Sequence, residues 1–179
     1  MAFPIAGMAQ ASRGDPELPQ IARHGFCATL GQLEIAIVTL PQKPSPDLVV
    51  TQVWHDPLAV MANREHPLAR AKAISFKNLG DYPAVMPGKG TYTRAILDQA
   101  LKANKIKPEI AMSTNYLETL KMLASIGLGW TLLPESMKDD EVTKLDIKGL
   151  QVSRSLGIVT NQQRTLSNPA TAMMELCIG

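Results

Sequence analysis

Residues 113–137 read STNYLETLKMLASIGLGWTLLPESM, and this stretch decides the fold class. Asn115 followed by Glu118 has the spacing of a reciprocal helix cap, the amide accepting from an early backbone N–H and the carboxylate reaching back. Leu117, Leu120, Leu123, Ala124 and Ile126 then recur on one face of a helix that Gly127 ends. Trp130-Thr131-Leu132-Leu133 is short, apolar and stopped by Pro134, as a buried strand is. A helix handed to a strand through a glycine turn belongs to an α/β protein.

The same alternation extends outward. Upstream, Tyr82–Met86 reads as a strand. It is followed by "MPGKGTYTR" (86–94) and by a helix from Thr93 to Ala103. In that helix Ile96, Leu97, Ala100 and Leu101 share a face, Arg94, Asp98 and Lys102 point away, and Asn104 terminates it. Ile110–Ser113 is a further strand. Toward the N-terminus, Leu33–Val38 is a β-branched run expected to be buried on both faces, and Pro41–Pro46 is an extended loop. Leu48–Trp54 and Pro57–Ala62 read as two strands, His66-Pro67 as a surface turn and Ile74–Leu79 as a short helix. Leu156–Thr160 and Pro169–Leu176 supply a last strand and a last helix. Such alternation predicts largely parallel pairing. Residues 1–31 show no usable period, broken as they are by Pro4, Pro16, Pro19, Gly7, Gly14 and Gly25.

Composition excludes several classes. The chain has 179 residues, 45% hydrophobic and 19% charged, which describes a globular protein with a real core. A net charge of +2 is too small to be an electrostatic footprint for nucleic acid. No apolar run is long enough for a bilayer, and the first residues lack the pattern of a secretory signal. Cys27 and Cys177 are far apart and read as reduced thiols of a cytoplasmic protein.

Catalytic and metal signatures are missing. Gly88-Lys89-Gly90-Thr91 looks like the heart of a nucleotide loop, but the position that needs the first glycine is Pro83, and Lys89 precedes Gly90 instead of a hydroxyl. The dinucleotide fingerprint fails because its third glycine position is Thr93. His24, His55 and His66 have no partner at helical spacing and neither cysteine has one at zinc spacing, so no metal or cofactor is expected. No Gly-x-Ser-x-Gly elbow and no nucleophile–base pair appear, so no catalytic residue is assigned and the chain reads as a non-enzyme. Glu34, without an acidic partner, reads as a strand-end charge facing solvent.

Five segments, in order, carry a resemblance: "GQLEIAIVTLP", "DPLAVMANREHPLA", "NLGDYPAVMPGKGTYTR", "STNYLETLKMLASIGLGWTLLPESM" and "RSLGIVTNQQRTLSNPATAMMEL". Together they resemble the effector-binding domain of LysR-type transcriptional regulators from about Gln32 to Leu176, with Glu34 where the family has aspartate. The resemblance implies an α/β fold of two lobes, the periplasmic-binding-protein type 2-like architecture, with a small-molecule cleft between them. Carried over, the crossings lie near Val60–Arg64 and Ser155–Val159. Residues 65–155 then form lobe II, residues 32–64 and 156–179 a partial lobe I, and residues 1–31 an unassigned segment. The family's helix-turn-helix and the first elements of lobe I have no counterpart here, so an N-terminally truncated member is expected. By resemblance the chain is a cytoplasmic, homo-oligomeric sensor of a small, anionic effector. It would meet DNA only through a helix-turn-helix absent from this sequence, and it has no membrane partner. The alternative is a solute-binding protein of the same architecture that delivers such a ligand to a transporter.

The cleft-lining candidates are Thr39, Gly88, Gly90, Thr91, Tyr92, Thr93 and Trp130. Gly88 and Gly90 let the backbone turn into a helix whose first N–H groups lack internal partners and carry the positive end of the dipole, where an anion is stabilised. Thr91 and Thr93 either orient that anion or cap their own helix. Thr39 ends a strand where open α/β sheets bind ligands, or else satisfies local backbone. Trp130 either walls the cleft or is core.

Overall fold

The computed structural model describes residues 33–40, 46–71 and 74–178. His24, Cys27, the unassigned segment 1–31 and most of the Pro41–Pro46 loop lie outside them. Among the described residues ten regular elements occur in order, with short 3₁₀ turns between them. They are β1 (Ile35–Thr39), β2 (Leu48–Asn63), β3 (Ala84–Pro87), α1 (Tyr92–Ala103), β4 (Ile110–Thr114), α2 (Leu117–Ser125), β5 (Thr131–Pro134), β6 (Val142–Lys144), β7 (Val152–Asn161) and α3 (Asn168–Ile178).

The five-stranded sheet runs β1-β7-β2-β5, with β6 also on β2, and all of its pairs are antiparallel. Among the described strands only β3 and β4 pair in parallel, and a parallel bridge from Ala84 to Trp130 ties them to the start of β5. The expectation of largely parallel pairing is therefore corrected. Counting strands and helices in order cannot show that β2 and β7 run out and back beside each other, which makes their pairing antiparallel.

Strand β2 also replaces two expected strands. It continues through Pro57, which sits opposite Ser153 of β7, while β5 begins its pairing only at Leu58. Among the described residues, Pro57 therefore faces no strand on its other side, the position where a missing N–H is tolerated. A bulge between Val50 and Gln52 absorbs the irregularity at the far end.

Alternation along the strands divides the core into two clusters. Leu58, Val60 and Ala62 of β2 face one side, with Ala84, Met86, Trp130 and Leu132, and α1 covers them with Leu97 and Leu101. Ala59 and Met61 face the other side, with Val85 and Leu133, under Leu120, Leu123 and Ala124 of α2. Each of these large side chains gains about 1.5–3 kcal/mol from burial. One helix on each face is what fixes the loop ends of β3 and β4 in space.

Several local expectations change. Asn115 does not cap α2; the helix starts at Leu117 with Tyr116 at its cap position and no side-chain cap bond. Arg94 does not point away, because its guanidinium turns back to the Pro87 carbonyl (Nη1–O 3.1 Å) while Nε meets Asp98 at 2.7 Å. His66 is buried rather than superficial. Its Nδ1 accepts from Leu68 N at 3.2 Å and its ring meets Tyr82 edge-on, so burial holds its pKa below the usual histidine value. Glu34 looks not into solvent alone but at the start of α3, where both carboxylate oxygens accept from Ser167, N at 2.9 Å and Oγ at 2.7 Å. Those two hydrogen bonds lower its pKa. Strand β1 is only half buried, with Ile37 53% exposed, so the expectation of burial on both faces does not hold. Cys177 is a free thiol.

Candidate functional site

Three strands end at one place. Thr39 closes β1, Pro87 closes β3 and Thr114 closes β4, and the carboxyl ends of strands are where open α/β folds take ligands. A cavity of about 260 Å³ lies between them. Its walls are Ile37–Thr39, Pro87, the Thr91–Thr93 turn, Thr114 and Asn115, two leucines of α2, and Arg154 of β7.

The turn is built by its glycines. Gly90 has φ +82°, the left-handed region that glycine enters without strain. A Cβ at Gly88 would lie 1.7 Å from Asn115 Oδ1, so the glycine is what lets the Asn115 side chain rest against the turn. Gly88 N is in turn held by the Thr114 carbonyl at 3.0 Å, which ties the turn to the end of β4. Thr91 Oγ1 donates to the Gly88 carbonyl at 2.9 Å and accepts from Arg94 N at 3.2 Å, so Thr91 is the N-cap of α1 as well as a wall of the cavity. Helix geometry leaves the first-turn N–H groups of Tyr92 and Thr93 without intrahelical acceptors. They carry the positive end of the α1 dipole.

Arg154 contributes the cavity's charge; among the described lining residues no other ionised side chain appears. Its Nε meets Asp56 Oδ2 at 2.6 Å, and both side chains are largely buried (13% and 15% exposed). Nη1 reaches Thr93 Oγ1 at a long 3.4 Å. Below the cavity, the Arg94 guanidinium is neutralised by Asp98 and spent on the Pro87 carbonyl, so it braces the turn rather than entering the site. Lys89, at the tip of the turn, is exposed and does not line the cavity.

Of the seven candidates, Thr39, Thr91, Tyr92 and Thr93 come together on the cavity wall. Gly88 and Gly90 shape the turn that presents three of them. Trp130 is elsewhere: it is fully buried in the core beside β3, its indole N–H shared between the Leu79 carbonyl (3.0 Å) and that of Tyr82 (3.3 Å). Sequence reasoning misses Arg154 and Asn115. Nothing local marks Arg154, whose partner Asp56 is 98 residues away. Asn115 carries a signal that reads as a cap; the paired glycine at 88 is the better clue. Among the described residues no group of His, Cys, Asp and Glu could hold a metal ion.

A cavity at strand ends, flanked by a helix N-terminus and an arginine on a pair of antiparallel crossing strands, defines a ligand-binding α/β domain of the periplasmic-binding-protein type 2-like class. The family model described as the LysR substrate binding domain matches residues 29–179, and the chain belongs to that family. It is 26% identical over 135 residues to the HTH-type transcriptional activator CmpR of a Synechocystis strain, covering 72% of this chain and 44% of that protein. The chain spans about half the length of the curated relatives it matches (44%, 51% and 52%). The solved CcmR regulatory domain of Synechocystis PCC6803, in complex with 2-PG, superposes with a TM-score of 0.75 at 22% identity. That match covers 87% of this chain and 77% of the other. The effector binding domain of QuiR, in complex with shikimate, gives 0.70 at 19% identity over 83% and 72%.

The role of the domain is therefore effector sensing for a LysR-type transcriptional regulator, and a transporter-delivery role is not favoured, because the matches are to regulators. The family comprises transcriptional regulators, not enzymes. No helix among the described residues is long and apolar enough to cross a membrane.

Proposed function

We propose that the cavity at the ends of β1, β3 and β4 is the effector site, and that its ligand is a compact anion. The supporting observation is the convergence of three strand ends with the capped N-terminus of α1 on one cavity whose charged wall residue is an arginine. At about 260 Å³ the space lies near the small end of ligand pockets, commonly about 300–1,000 Å³, and favours a small metabolite. The acids and phosphates of that size carry oxygens that the Tyr92 and Thr93 N–H groups and the Thr91 and Thr93 hydroxyls can meet. Thr39 faces them from β1. Trp130 acts on the site only by fixing β5 beneath it.

In this reading residues 65–155 form one lobe, residues 32–64 and 156–179 belong to the other, and β2 and β7 are the crossings. Ligand gripped by both sides shifts the balance between open and closed lobes, which a homo-oligomer would convey to DNA through a helix-turn-helix outside the matched residues. Binding without chemical turnover, in the cytoplasm, completes the proposal. The neighbours' bound 2-PG and shikimate make small acids and phosphate esters the first ligands to try. Thermal-shift screening of such compounds, followed by calorimetry on wild type and Thr91→Val, tests it. Binding by an acid or phosphate, weakened by the substitution, is expected. Equal affinity in both proteins would remove Thr91 from the site, and preference for neutral ligands would remove the anion.

A further inference from the structure

The Arg154–Asp56 pair has an arrangement that packing alone does not call for. Arg154, near the start of β7, stands directly opposite Asp56 at the middle of β2. Only Nε is engaged by the carboxylate, at 2.6 Å, and Nη1 makes just the 3.4 Å approach to Thr93. A guanidinium has five N–H donors in a planar fork. Most of this fork is therefore unused on a side chain that is 13% exposed and lines the cavity. These unused nitrogens keep access to the cavity, since among the described residues the fully buried side-chain atom without a partner is Thr131 Oγ1.

We propose that Arg154 is the specificity-determining residue of the site, its free fork receiving a two-oxygen anionic group of the effector, a carboxylate or a phosphate ester, while Asp56 holds and half-neutralises it from behind. The inference rests on the cavity being the effector site. End-on presentation of Nη1 and Nη2 matches the spacing of two oxygens on one carbon or phosphorus. Asp56 has two opposed effects. It fixes the fork's direction, and its charge opposes the incoming anion, which holds affinity down and demands good geometry. Because Arg154 is on a crossing strand, Thr93 lies in the first turn of α1 and Thr39 ends β1 on the opposite wall, one bound anion would meet both sides of the cleft.

The test uses the chain with a fixed set of probes: inorganic phosphate, glycerol 3-phosphate, glycerate, malate, and glycerol as the neutral control, each followed by thermal shift and calorimetry. Wild type is expected to bind at least one anion and not glycerol, and the better of the phosphate and carboxylate arms names the group. Arg154→Gln should weaken that binding by about 10- to 100-fold, the usual loss for a hydrogen bond to a charged group. Arg154→Lys keeps the charge without the fork and should recover only part of it. Asp56→Asn should act the opposite way, binding the anion a few-fold more tightly and with steeper salt dependence. A purely structural pair would instead lose affinity in both single variants alike, which would overturn the proposal. If Arg154→Gln does not fold, Arg154→Gln/Asp56→Asn removes both charges, and the same loss of anion binding is expected. Unchanged affinity in an arginine variant, with Thr93→Val still harmful, would overturn the role of Arg154 and leave the cavity assignment standing. No anion binding by wild type would remove both.

Discussion

A single methyl group placed at two glycines separates what holds the fold from what shapes the site. At Gly129 an ideal Cβ would lie 2.4 Å from the Pro83 carbonyl oxygen and 2.8 Å from its carbon, so the obstacle is backbone. Ordinary C···O contact is about 3.3 Å or more, so Gly129→Ala forces about 1 Å of separation. On that approach depend the Trp130 N to Pro83 O bond (3.1 Å), the Val85 N to Trp130 O bond (2.8 Å) and the seat of the buried indole. Overpacking costs about 1–3 kcal/mol and a loosened buried hydrogen bond about 1 more, giving about 2–4 kcal/mol. For a chain of this length that lowers Tm by about 4–16 °C. At Gly88 the obstacle is the end of the exposed Asn115 side chain, which can swing away. Gly88→Ala should cost about 1 kcal/mol and about 2–4 °C, yet weaken ligand binding, because Asn115 leaves the cavity wall. Circular-dichroism melts of both variants, with calorimetry on the milder one, make the comparison. A Gly129→Ala melt within about 2 °C of wild type would refute the close packing of Pro83 on the Gly129–Trp130 step.

Single groups carry the other expected outcomes. Thr91→Val removes the α1 cap and the Gly88 tether and should cost about 1 kcal/mol in urea unfolding, against almost nothing for Thr91→Ser. His66 is held neutral by burial, so the unfolded chain takes up a proton first. Its contribution is complete above the unfolded pKa of about 6.5 and is lost as pH falls through the depressed folded value, and His66→Asn should flatten urea midpoints between pH 5 and 7. Amides of half-buried β1 should exchange with deuterium sooner than those of β5, whose residues are all buried; equal protection would contradict the burial pattern of β1.

How much the sequence carried can be judged residue by residue. The α2–β5 stretch was legible because Leu120, Leu123 and Ala124 repeat at the helical period and Gly127, at φ +85°, terminates the pattern. The α1 turn was legible because two glycines flanking a lysine and followed by hydroxyls leave few conformations open. Pairing was not, because β2 and β7 are about 100 residues apart and each reads alike in a parallel or an antiparallel neighbourhood. Arg154 was hidden for the same reason, since a charge on a strand looks like a solvent-facing residue until its buried partner is known. Trp130 reads either as cleft wall or as core because a residue at a strand's start has two faces to choose from. The requirement to pair its indole N–H with the Leu79 and Tyr82 carbonyls decided for the core.

The most direct measurement is an amide NMR titration of the chain with whichever acid or phosphate stabilises it most in a thermal-shift screen. If the cavity is the effector site, the Tyr92 and Thr93 amides move first and saturably, as their free N–H groups gain an acceptor. Thr39, Asn115 and the Arg154 side-chain Nε signal should move with the same affinity. The contradicting result is a saturable response that spares these five and gathers on another surface, such as the Lys144–Ser153 segment, which lines a separate depression with His55 and Pro57.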